Sequence, residues 1–386
     1  MTSNFLKDDP TFGTIDLDDE YITDAWLIDK YVGNDLIGWG YNNSGQLGNG
    51  NLVDRSSPVQ VGSLTKWKQV YGGRWFTLSV KTDGTLWAWG YNADGELGVG
   101  NITSYSSPIQ VGSLTNWKQV ACGLSHTTSI KTDGTLWAWG YNVNGGLGVG
   151  NITSYSSPVQ VGALTNWKSV TCGQTHTVAV KNDGTLWAWG RNDFGQLGVG
   201  NSINYSSPVQ VGSLTNWKQV AGGLGHTIAV KTDGTLWACG LNNFGQLGLG
   251  NIAYYSSPVQ VGSLTNWKSV ACGYQHTVVT KTDGTLWAWG RNDFGQLGNG
   301  NTTYYSSPIQ VGSLTNWKQV AGGLYHTAAI KTDGTLWTCG YNNHGQLGNG
   351  NVTYYSSPVQ VGSLTNWKQV SAGYYHTISV IYTEIN

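Results

Sequence analysis

The sequence predicts an all-β fold, a seven-bladed β-propeller of four-stranded blades, from three observations. LWAWG or a close variant begins at residues 36, 86, 136, 186, 236, 286 and 336, so seven copies follow one another at a strict fifty-residue spacing. A fixed period of this length indicates stacked or radially arranged units. The units are rich in Trp, Val, Ile, Thr and Tyr and are interrupted by Gly, Asn and Asp, which favours strands and turns over helices. Four-stranded units arranged in a ring leave only short, protected sheet edges.

A single unit shows how the four strands follow one another. β-branched and aromatic residues predict a first strand over residues 117–121 and a second over residues 127–131. Thr-Asp-Gly then forms a tight turn, since Asp and Gly tolerate positive φ, and the third strand covers residues 135–139. A long glycine-rich connection leads to a short fourth strand over residues 158–161. Because Pro158 has no N–H to donate, we expect that strand at the outer edge of the blade.

The two ends of the chain are expected to build one blade together. The first recognisable unit begins at its third strand, residues 36–40, and the last unit ends after its second strand, residues 376–382. Two C-terminal and two N-terminal strands complete a four-stranded blade, and their pairing closes the ring. The predicted organisation is therefore an N-terminal extension over residues 1–35 and a propeller over residues 36–386.

Charged residues are scarce and unevenly distributed. They make up 11% of the chain, and the net charge is −1. Residues 1–35 hold nine acidic residues and two lysines, a net charge of −7, which leaves +6 for residues 36–386. The basic groups of the repeats are spread around the ring, whereas nucleic-acid binding requires a clustered basic stripe. We therefore expect no nucleic-acid partner. No apolar run approaches the ~20 residues of a membrane span, and the start of the chain shows no secretory signal peptide.

Three sequence stretches resemble the repeat of the regulator of chromosome condensation family. They are WGYNNSGQLGNG, CGLSHT and KTDGTLWAWG, and the resemblance extends over residues 36–386. It implies a seven-bladed propeller. The regular sequence pattern of the repeat also resembles that of repeat proteins encoded by marine bacteriophages.

The resemblance implies a fold more than a function, because the family includes exchange factors, a plant ultraviolet photoreceptor and a β-lactamase inhibitor. Nucleotide exchange requires an unsymmetrical wedge or insertion, and the strict period of this chain contains none. Ultraviolet sensing requires clustered surface tryptophans with arginine–acid pairs, but Arg74-Trp75 is the only such dipeptide here. Neither activity is expected.

Three sites vary between the repeats while their surroundings stay constant: positions 43–44, 52–54 and 74–75 and their equivalents. In an antiparallel meander, alternate connections lie at the same end of the sheet. All three sites therefore fall on one face of the disc, which we call the loop face; the opposite face, with the Thr-Asp-Gly turns, is the turn face. The candidate ligand-binding residues on the loop face are Arg74, Trp75, Phe194, Phe244, Tyr254, Tyr274, Phe294, Tyr304, Tyr325, His344, Tyr354, Tyr374 and Tyr375.

The composition of these sites predicts a binding surface. Tyr and Trp provide large, rigid contact area, and Asn, Ser and Gly provide adaptable hydrogen bonds, as in antibody paratopes. Loop tips that merely drift would favour small polar residues over exposed aromatic ones. Unconstrained drift of unpacked loops is the alternative interpretation.

Catalytic and metal chemistry is not expected. Six of the seven histidines occupy one repeat position, where the first copy has Phe76, which cannot bind a metal. We expect each His-Thr pair to satisfy backbone groups inside its own blade. Candidate nucleophiles and acids recur around the ring, whereas catalysis needs one unsymmetrical arrangement. No cofactor is implied. The five cysteines contain no CxxC pair, so free core thiols are expected.

The sequence therefore predicts a non-enzymatic recognition module, a phage or cell-surface adhesin that binds a protein or glycan receptor through the loop face. Its expected location is a virion or a cell surface, after synthesis in the cytoplasm. A soluble interaction scaffold or inhibitor and a structural virion decoration protein are the alternatives. Residues 1–35 are expected either to anchor the propeller to a larger assembly or to cap its basic ring.

Overall fold

A computed structural model describes residues 32–384, which form seven four-stranded antiparallel sheets and no helix. The ring of seven blades confirms the predicted fold class. Six blades take four consecutive strands each, and blade 7 combines the two chain ends. Apart from residues 32–35, the acidic extension predicted for residues 1–35 lies outside the described residues.

The strands follow the fifty-residue period. Blades 1 to 3 contain β3 (Trp67–Gly72), β4 (Phe76–Lys81), β5 (Leu86–Gly90), β6 (Tyr105–Gln110), β7 (Trp117–Cys122), β8 (His126–Lys131), β9 (Leu136–Gly140), β10 (Tyr155–Gln160), β11 (Trp167–Cys172), β12 (His176–Lys181), β13 (Leu186–Gly190) and β14 (Tyr205–Gln210). Blades 4 to 6 contain β15 (Trp217–Gly222), β16 (His226–Lys231), β17 (Leu236–Gly240), β18 (Tyr255–Gln260), β19 (Trp267–Cys272), β20 (His276–Lys281), β21 (Leu286–Gly290), β22 (Tyr305–Gln310), β23 (Trp317–Gly322), β24 (His326–Lys331), β25 (Leu336–Gly340) and β26 (Tyr355–Gln360). Blade 7 contains β27 (Trp367–Ala372), β28 (His376–Glu384), β1 (Val32–Gly40) and β2 (Arg55–Gln60).

Each blade runs from its first strand, which lines a central channel, to its fourth strand at the outer edge. The fourth strand is longer than predicted, since β10 begins at Tyr155 and not at residue 158. Tyr155 pairs with Gly140, and Val159 pairs with Ala138, so β10 bulges between these two pairs. The bulge contains Pro158, which has no N–H to offer a regular ladder. The seven prolines of residues 32–384 therefore lie on outer strands, as predicted for Pro158.

The chain ends close the ring. β1 and β28 pair over nine residues, from Val32 opposite Glu384 to Gly40 opposite His376. β27 and β2 flank them in the order β2-β1-β28-β27. The first strand thus begins four residues before the boundary placed at residue 36, and both ends of β1 and β28 are held by the same ladder.

One backbone carbonyl per junction joins neighbouring blades. The indole Nε1 of Trp139 in blade 2 donates to the carbonyl of Glu96 in blade 1 (2.9 Å), and the Thr127 hydroxyl donates to the same oxygen (2.8 Å). Trp139 is fully buried, as expected for a tryptophan that packs between blades. In blades 4 and 6 the equivalent indole is replaced by Cys239 and Cys339, whose Sγ atoms lie 3.6 Å and 3.7 Å from the equivalent carbonyls.

The six equivalent histidines also join blades, which corrects the prediction that each His-Thr pair serves its own blade. His126 Nε2 lies 3.1 Å from the Thr177 hydroxyl in blade 3, and that hydroxyl donates to the carbonyl of Gly146 (2.7 Å). Because the hydroxyl has one hydrogen, His126 Nε2 must donate. The same contact occurs at six of the seven junctions; the junction of blades 1 and 2 lacks it because blade 1 has Phe76.

Burial keeps these histidines neutral. Desolvation lowers the pKa of His126 to about 4 and the pKa of the other five, His176, His226, His276, His326 and His376, to about 3. A neutral imidazole with a fixed Nε2–H donor is therefore a structural part of six of the seven junctions.

Glu96 is a buried carboxyl at a position where five other repeats have glutamine. Its Oε2 accepts a hydrogen bond from the Asp94 N–H (2.9 Å), whereas its Oε1 is buried without a partner among the described residues. Desolvation raises the pKa of Glu96 to about 8. The folded protein therefore holds this carboxyl protonated at neutral pH.

Replacing Glu96 with Gln is expected to stabilise the propeller. Between pH 4.5 and pH 8 the folded state binds more protons at this position than the unfolded state, so the free energy of unfolding of the natural chain falls as pH rises. At pH 7 the buried Glu96 lowers the free energy of unfolding by about 3 kcal/mol, and Glu96→Gln removes this loss. The new Gln would have an unpaired Nε2, as Gln46 has, and this offsets part of the gain. Urea unfolding at several pH values measures the difference.

The pH dependence distinguishes this effect from better packing. The advantage of Glu96→Gln should grow from pH 4.5 to pH 8 and vanish near pH 4.5. Asp94→Asn, which removes a neighbouring but half-exposed carboxylate, is the control and should change stability little. An advantage that is constant across this pH range would contradict a protonated Glu96.

Candidate functional site on the loop face

The long connections that form the loop face are rigidly built. A buried asparagine organises each of them: in blade 1, the Asn92 side chain donates to the carbonyls of Asn101 (3.0 Å) and Thr103 (2.9 Å) and accepts from the Leu97 N–H (2.9 Å). Gly95 adopts a φ of +79°, and a Cβ there would lie 2.6 Å from the Cα of Ser156 in blade 2. The variable residues therefore stand on a preorganised framework that packs against the next blade.

Ring contacts join seven side chains of blades 5, 6 and 7 into one cluster on this face, and Tyr41 adjoins the cluster through Tyr375 (6.3 Å). The Phe294 ring lies 5.1 Å from Tyr325, 4.9 Å from Tyr341 and 5.5 Å from Tyr354, measured between centroids. Tyr341 lies 5.7 Å from Tyr375. We call this cluster the aromatic arc; its members are Tyr274, Phe294, Tyr325, Tyr341, Tyr354, Tyr374 and Tyr375.

The arc continues to both sides through polar and aromatic neighbours. His344 lies 5.3 Å from the Tyr375 ring, and its Nδ1 lies 3.0 Å from Asp54 Oδ2. On the other side, the Arg291 guanidinium lies 4.9 Å from the Tyr325 ring and 4.9 Å from the Phe244 ring. The predicted residues of blades 5, 6 and 7 are thus brought together.

Two predicted pairs lie beside the arc. Phe244 packs on Tyr304 (5.4 Å), and Phe194 packs on Tyr254 (5.8 Å), each phenylalanine reaching into the next blade. The first pair joins the arc through Arg291. The second pair makes no ring contact with the arc. The predicted site is therefore a continuous surface over blades 4 to 7 with one separate pair.

Arg74 and Trp75 lie where the first and second strands of blade 1 connect, at the channel mouth. The Arg74 guanidinium lies 3.7 Å from the centroid of the Trp75 ring and 5.8 Å from that of Tyr374 in blade 7. Trp75 also packs on Tyr91 (5.6 Å). These contacts attach the last two predicted residues to the end of the arc.

Most of these rings are half-buried, which corrects the description of them as exposed. Tyr254, Tyr304 and Tyr354 are 49%, 42% and 38% exposed, and the other predicted residues are less so. They are partly buried because they pack on each other across blade junctions. Blades 1 to 3 also present exposed aliphatic side chains, among them Ile102, Ile152 and Ile203.

Sequence comparison between repeats missed Tyr341 and Arg291, which occupy the position directly after the Trp-Gly or Cys-Gly turn. That position holds Tyr in four repeats, Arg in two and Leu in one. Its variation is detectable in the sequence, but the position lies inside an otherwise constant motif. Tyr341 proves central, because it contacts Phe294, Tyr354 and Tyr375.

The polar groups of the arc are tyrosine hydroxyls, and the Arg291 guanidinium lies beside them. Arg291 Nη1 donates to Gln275 Oε1 (2.7 Å) and to the Tyr325 hydroxyl (3.3 Å). Burial raises the pKa of Tyr274, Tyr374 and Tyr375, so their phenols stay protonated. The arc therefore combines apolar ring area with hydroxyl groups, and the Arg291 cation beside it is paired with Asp293.

The turn face, in contrast, is occupied by contacts that stabilise each blade. Lys131 Nζ lies 3.6 Å from the Trp137 ring and 4.7 Å from the Trp117 ring. Asp133 accepts hydrogen bonds from the Thr135 N–H and hydroxyl (2.9 and 2.7 Å), and that hydroxyl accepts from Trp137 Nε1 (2.9 Å). Because these side chains already have partners within their own blade, the loop face is the better candidate for ligand binding.

No metal site or membrane helix is found in the described part of the chain. Residues 32–384 contain no group of three His, Cys, Asp or Glu side chains arranged to hold a metal ion. Over the same residues, no helix has the length and apolarity to cross a bilayer. All five cysteines are free thiols, as the sequence predicts, and Cys172, Cys239 and Cys339 are buried.

Solved structures with the same architecture cover nearly the whole chain. Human WBSCR16 has a TM-score of 0.81 at 24% identity, over 90% of this chain and 100% of that one. Yeast RCC1 (Prp20), bound to Kap60, has a TM-score of 0.83 at 22% identity, over 92% and 90% of the two chains. Prp20p from Saccharomyces cerevisiae in a second structure has a TM-score of 0.82 at 21% identity, over 94% and 95%. At these identities the likeness shows the fold alone.

Family profiles match both halves of the sequence. The Regulator of chromosome condensation (RCC1) repeat matches residues 34–80, 83–130 and 133–180, and a second profile of that repeat matches residues 67–96 and 117–145. No curated protein sequence matches the chain. The RCC1-like domain matches residues 157–379, which is more than half of the chain. The chain therefore belongs to the RCC1-like domain family.

Proposed function

We propose that this protein is a non-enzymatic recognition module that binds a protein partner through the loop face, with the aromatic arc at the centre of the contact. The observation that carries the proposal is the arc itself. Seven rings from three blades pack into one surface, on rigid loops, at positions that vary between otherwise constant repeats. Tyr, Trp and Arg are the residues that most often dominate the free energy of protein interfaces.

The binding partners of related propellers support the proposal that the partner of this chain is a protein. One structure of yeast RCC1 (Prp20) is a complex with Kap60, and another describes the binding of Prp20p to Gsp1p and histones. This chain is 21% to 22% identical to them, so only the kind of partner is carried over. We do not extend nucleotide exchange to this chain, because its repeats contain no insertion that could act as a wedge.

The concrete form of the proposal is an adhesin on a virion or a cell surface, attached through residues 1–35. β1 begins at Val32 at the turn-face end of blade 7, opposite the arc. Attachment at that end would leave the loop face free for a receptor. The alternatives to this form are a soluble scaffold or inhibitor, a glycan-binding adhesin and a virion decoration protein. A cap formed by residues 1–35 on the basic ring is the alternative to an anchor.

The test compares two halves of the same face. Replacing Phe294, Tyr325 and Tyr354 with Ser is expected to weaken partner binding by roughly 100-fold or more, because it removes the centre of the contact. Its Tm should fall by a few degrees, since Phe294 and Tyr325 are half-buried. The measurement is binding of the purified chain to whole cells, a glycan array and immobilised cell extracts.

The matched control replaces Ile102, Ile152 and Ile203, which are 66%, 62% and 62% exposed on blades 1 to 3, with Ser. It removes three apolar side chains from the same face and should leave binding and Tm unchanged. Equal losses in both variants, or binding that survives in the aromatic variant, would refute the arc as the contact. Binding to glycans alone would replace the protein partner with a carbohydrate.

A further inference from the structure

We propose that Arg74 forms a carboxylate-binding site at the mouth of the central channel, and that it takes an acidic side chain or chain terminus of the protein partner. The inference rests on the proposed function, because it names the chemistry by which one end of the arc recognises its partner. It depends on three observations: the position of Arg74, its lack of an internal carboxylate and the unpaired polar atoms around it.

Arg74 is unique among the equivalent residues of the seven repeats. The other six connections have Leu or Gln or Tyr at this position. These connections surround the channel mouth and are linked by backbone hydrogen bonds, such as that from the Tyr374 N–H to the Gly73 carbonyl (3.3 Å). Arg74 is therefore the one cation that the first-to-second connections contribute to the channel mouth.

The guanidinium stacks on one aromatic ring and lies near a second. Its Cζ lies 3.7 Å from the Trp75 ring centroid and 5.8 Å from the Tyr374 ring centroid. An arginine stacked on aromatic faces keeps the edge of its planar fork available for hydrogen bonds. That edge matches the two oxygens of a carboxylate.

Two other arginines of the loop face have a carboxylate of their own, and Arg74 has none. Arg191 pairs with Asp193 (2.6 Å), and Arg291 pairs with Asp293. Within residues 32–384, no carboxylate lies within ion-pair distance of Arg74. The Arg74 guanidinium is thus a cation that contacts aromatic rings and has no carboxylate partner within the described residues.

The three side chains of this site each carry a polar atom without a partner. Arg74 Nε, Trp75 Nε1 and the Tyr374 hydroxyl are all buried, and none has a hydrogen-bond partner among the described residues. Each can donate a hydrogen bond, and an unmade buried hydrogen bond costs stability. Two unpaired donors beside one unpaired cation, whose own Nε is also unpaired, indicate a place for an external acceptor, and a carboxylate supplies both the acceptor oxygens and the negative charge.

The neighbouring surface favours a protein segment as the source of that carboxylate. Tyr374 belongs to both this site and the aromatic arc, so one partner surface can contact both. The channel below, about 360 Å³ and lined partly by Tyr274 and Tyr374, has room for side chains but not for a folded element. We therefore infer that an acidic residue of the partner occupies this position.

The test uses arginine side-chain NMR on the full chain, because the sequence contains only four arginines: Arg55, Arg74, Arg191 and Arg291. The protein is labelled with ¹⁵N-arginine, and Arg74→Lys assigns the Nε resonance. The probe is a capped peptide with two Tyr and three Glu residues; the control peptide has Gln in place of Glu. We expect the Glu peptide to shift the Arg74 resonance in a saturable way and the Gln peptide to bind at least tenfold more weakly.

Variants distinguish binding of the acidic peptide at Arg74 from its general electrostatic attraction to the lysines of the protein. Arg74→Gln should reduce peptide affinity at least tenfold, and Arg74→Lys should recover little of it because Lys lacks the planar fork. Arg55→Gln, which removes another arginine without an ion pair, should leave affinity unchanged. No shift at Arg74, equal shifts with both peptides, or a phosphopeptide that binds where the Glu peptide does not would overturn the proposal.

This experiment and the test of the proposed function fail independently. A Glu-specific shift at Arg74 together with cell or protein binding that survives in the aromatic variant would keep the carboxylate site and reject the arc. Loss of binding in the aromatic variant with no Glu-specific shift at Arg74 would keep the arc and reject the carboxylate site.

Discussion

Acidification from pH 7.5 to pH 5 is expected to unfold the propeller. The unfolded chain binds a proton on each histidine near pH 6.5, whereas burial lowers the pKa of the six junction histidines to about 4 in His126 and about 3 in the other five. Between those values the unfolded state binds more protons than the folded state. The free energy of unfolding therefore falls as pH falls below 6.5.

The size of the effect comes from repetition. At pH 5 each histidine lowers the free energy of unfolding by about 2 kcal/mol, and six together lower it by about 12 kcal/mol. The whole stability of a natural domain is about 5–15 kcal/mol. Glu96 acts in the opposite direction, since its raised pKa favours the folded state at low pH, but it is a single group. The carboxylates of the turns, such as Asp133, have lowered pKa values and respond only at still lower pH.

Urea unfolding at pH 7.5, 6.5 and 5.5 measures this loss. The control variant is provided by the chain itself: blade 1 has Phe76 where the other blades have histidine. His226→Phe removes one of the six groups. The free energy of unfolding of this variant should therefore change less steeply with pH in this range, by the contribution of one proton. Equal stability at pH 7.5 and pH 5.5 in the natural chain would show that the histidines are not neutral parts of the junctions.

Deletion of residues 367–386 is expected to abolish cooperative folding of the whole propeller, although it removes only two strands. The deletion leaves β1 without its nine-residue ladder to β28. It also removes the hydrogen bonds that Gln369 exchanges with the Val70 backbone (3.1 Å each), which join blade 7 to blade 1. Both neighbouring blades thus lose a junction.

The expected loss exceeds the stability available. One core cluster combines both ends of the chain, because Ile378 and Val380 pack with residues of β1 and blade 1; its other buried members are Leu36, Val61, Trp67, Val70 and Trp89. Loss of one large buried aliphatic side chain costs about 2–5 kcal/mol, and this deletion removes several, together with a ladder. Circular dichroism and calorimetry should show no cooperative transition at the Tm of the natural chain.

A circular permutant separates closure from chain continuity. Its new ends lie before Trp67, and a short glycine linker joins Glu384 to Val32, which are paired residues of β28 and β1. All seven blades then become continuous in sequence, with no strand removed. We expect a Tm close to that of the natural chain. A deleted chain that keeps its cooperative transition would mean that blade 7 does not hold the ring together.

The sequence predicts the structure that repeats within one unit, but it does not predict the contacts between neighbouring units. The strand positions, the ring closure and the outer position of Pro158 follow from the period and from local chemistry. The contact between His126 and Thr177 does not, because its partners are 51 residues apart and meet only across a junction. The early start of β10 at Tyr155 depends on a bulge, which leaves no mark in a hydrophobic pattern.

The candidate site divides in the same way. Variation between repeats identifies Phe294, Tyr325 and Tyr354 as members of one face. Their mutual packing, and the central place of Tyr341, depend on the angle between neighbouring blades, which no single unit contains. Half-burial of these rings is therefore a property of the assembled ring, and a comparison of repeats treats them as exposed.

The rings of the loop face meet across blade junctions, as Phe294 does with Tyr354 and Phe194 with Tyr254. Each of these ring contacts is thus formed by two adjacent units, and neither unit specifies it alone. A duplication or recombination event that replaces one fifty-residue unit would rewrite two junctions and leave the other five unchanged. Exchange of a whole unit would therefore change the loop face at two neighbouring junctions at once.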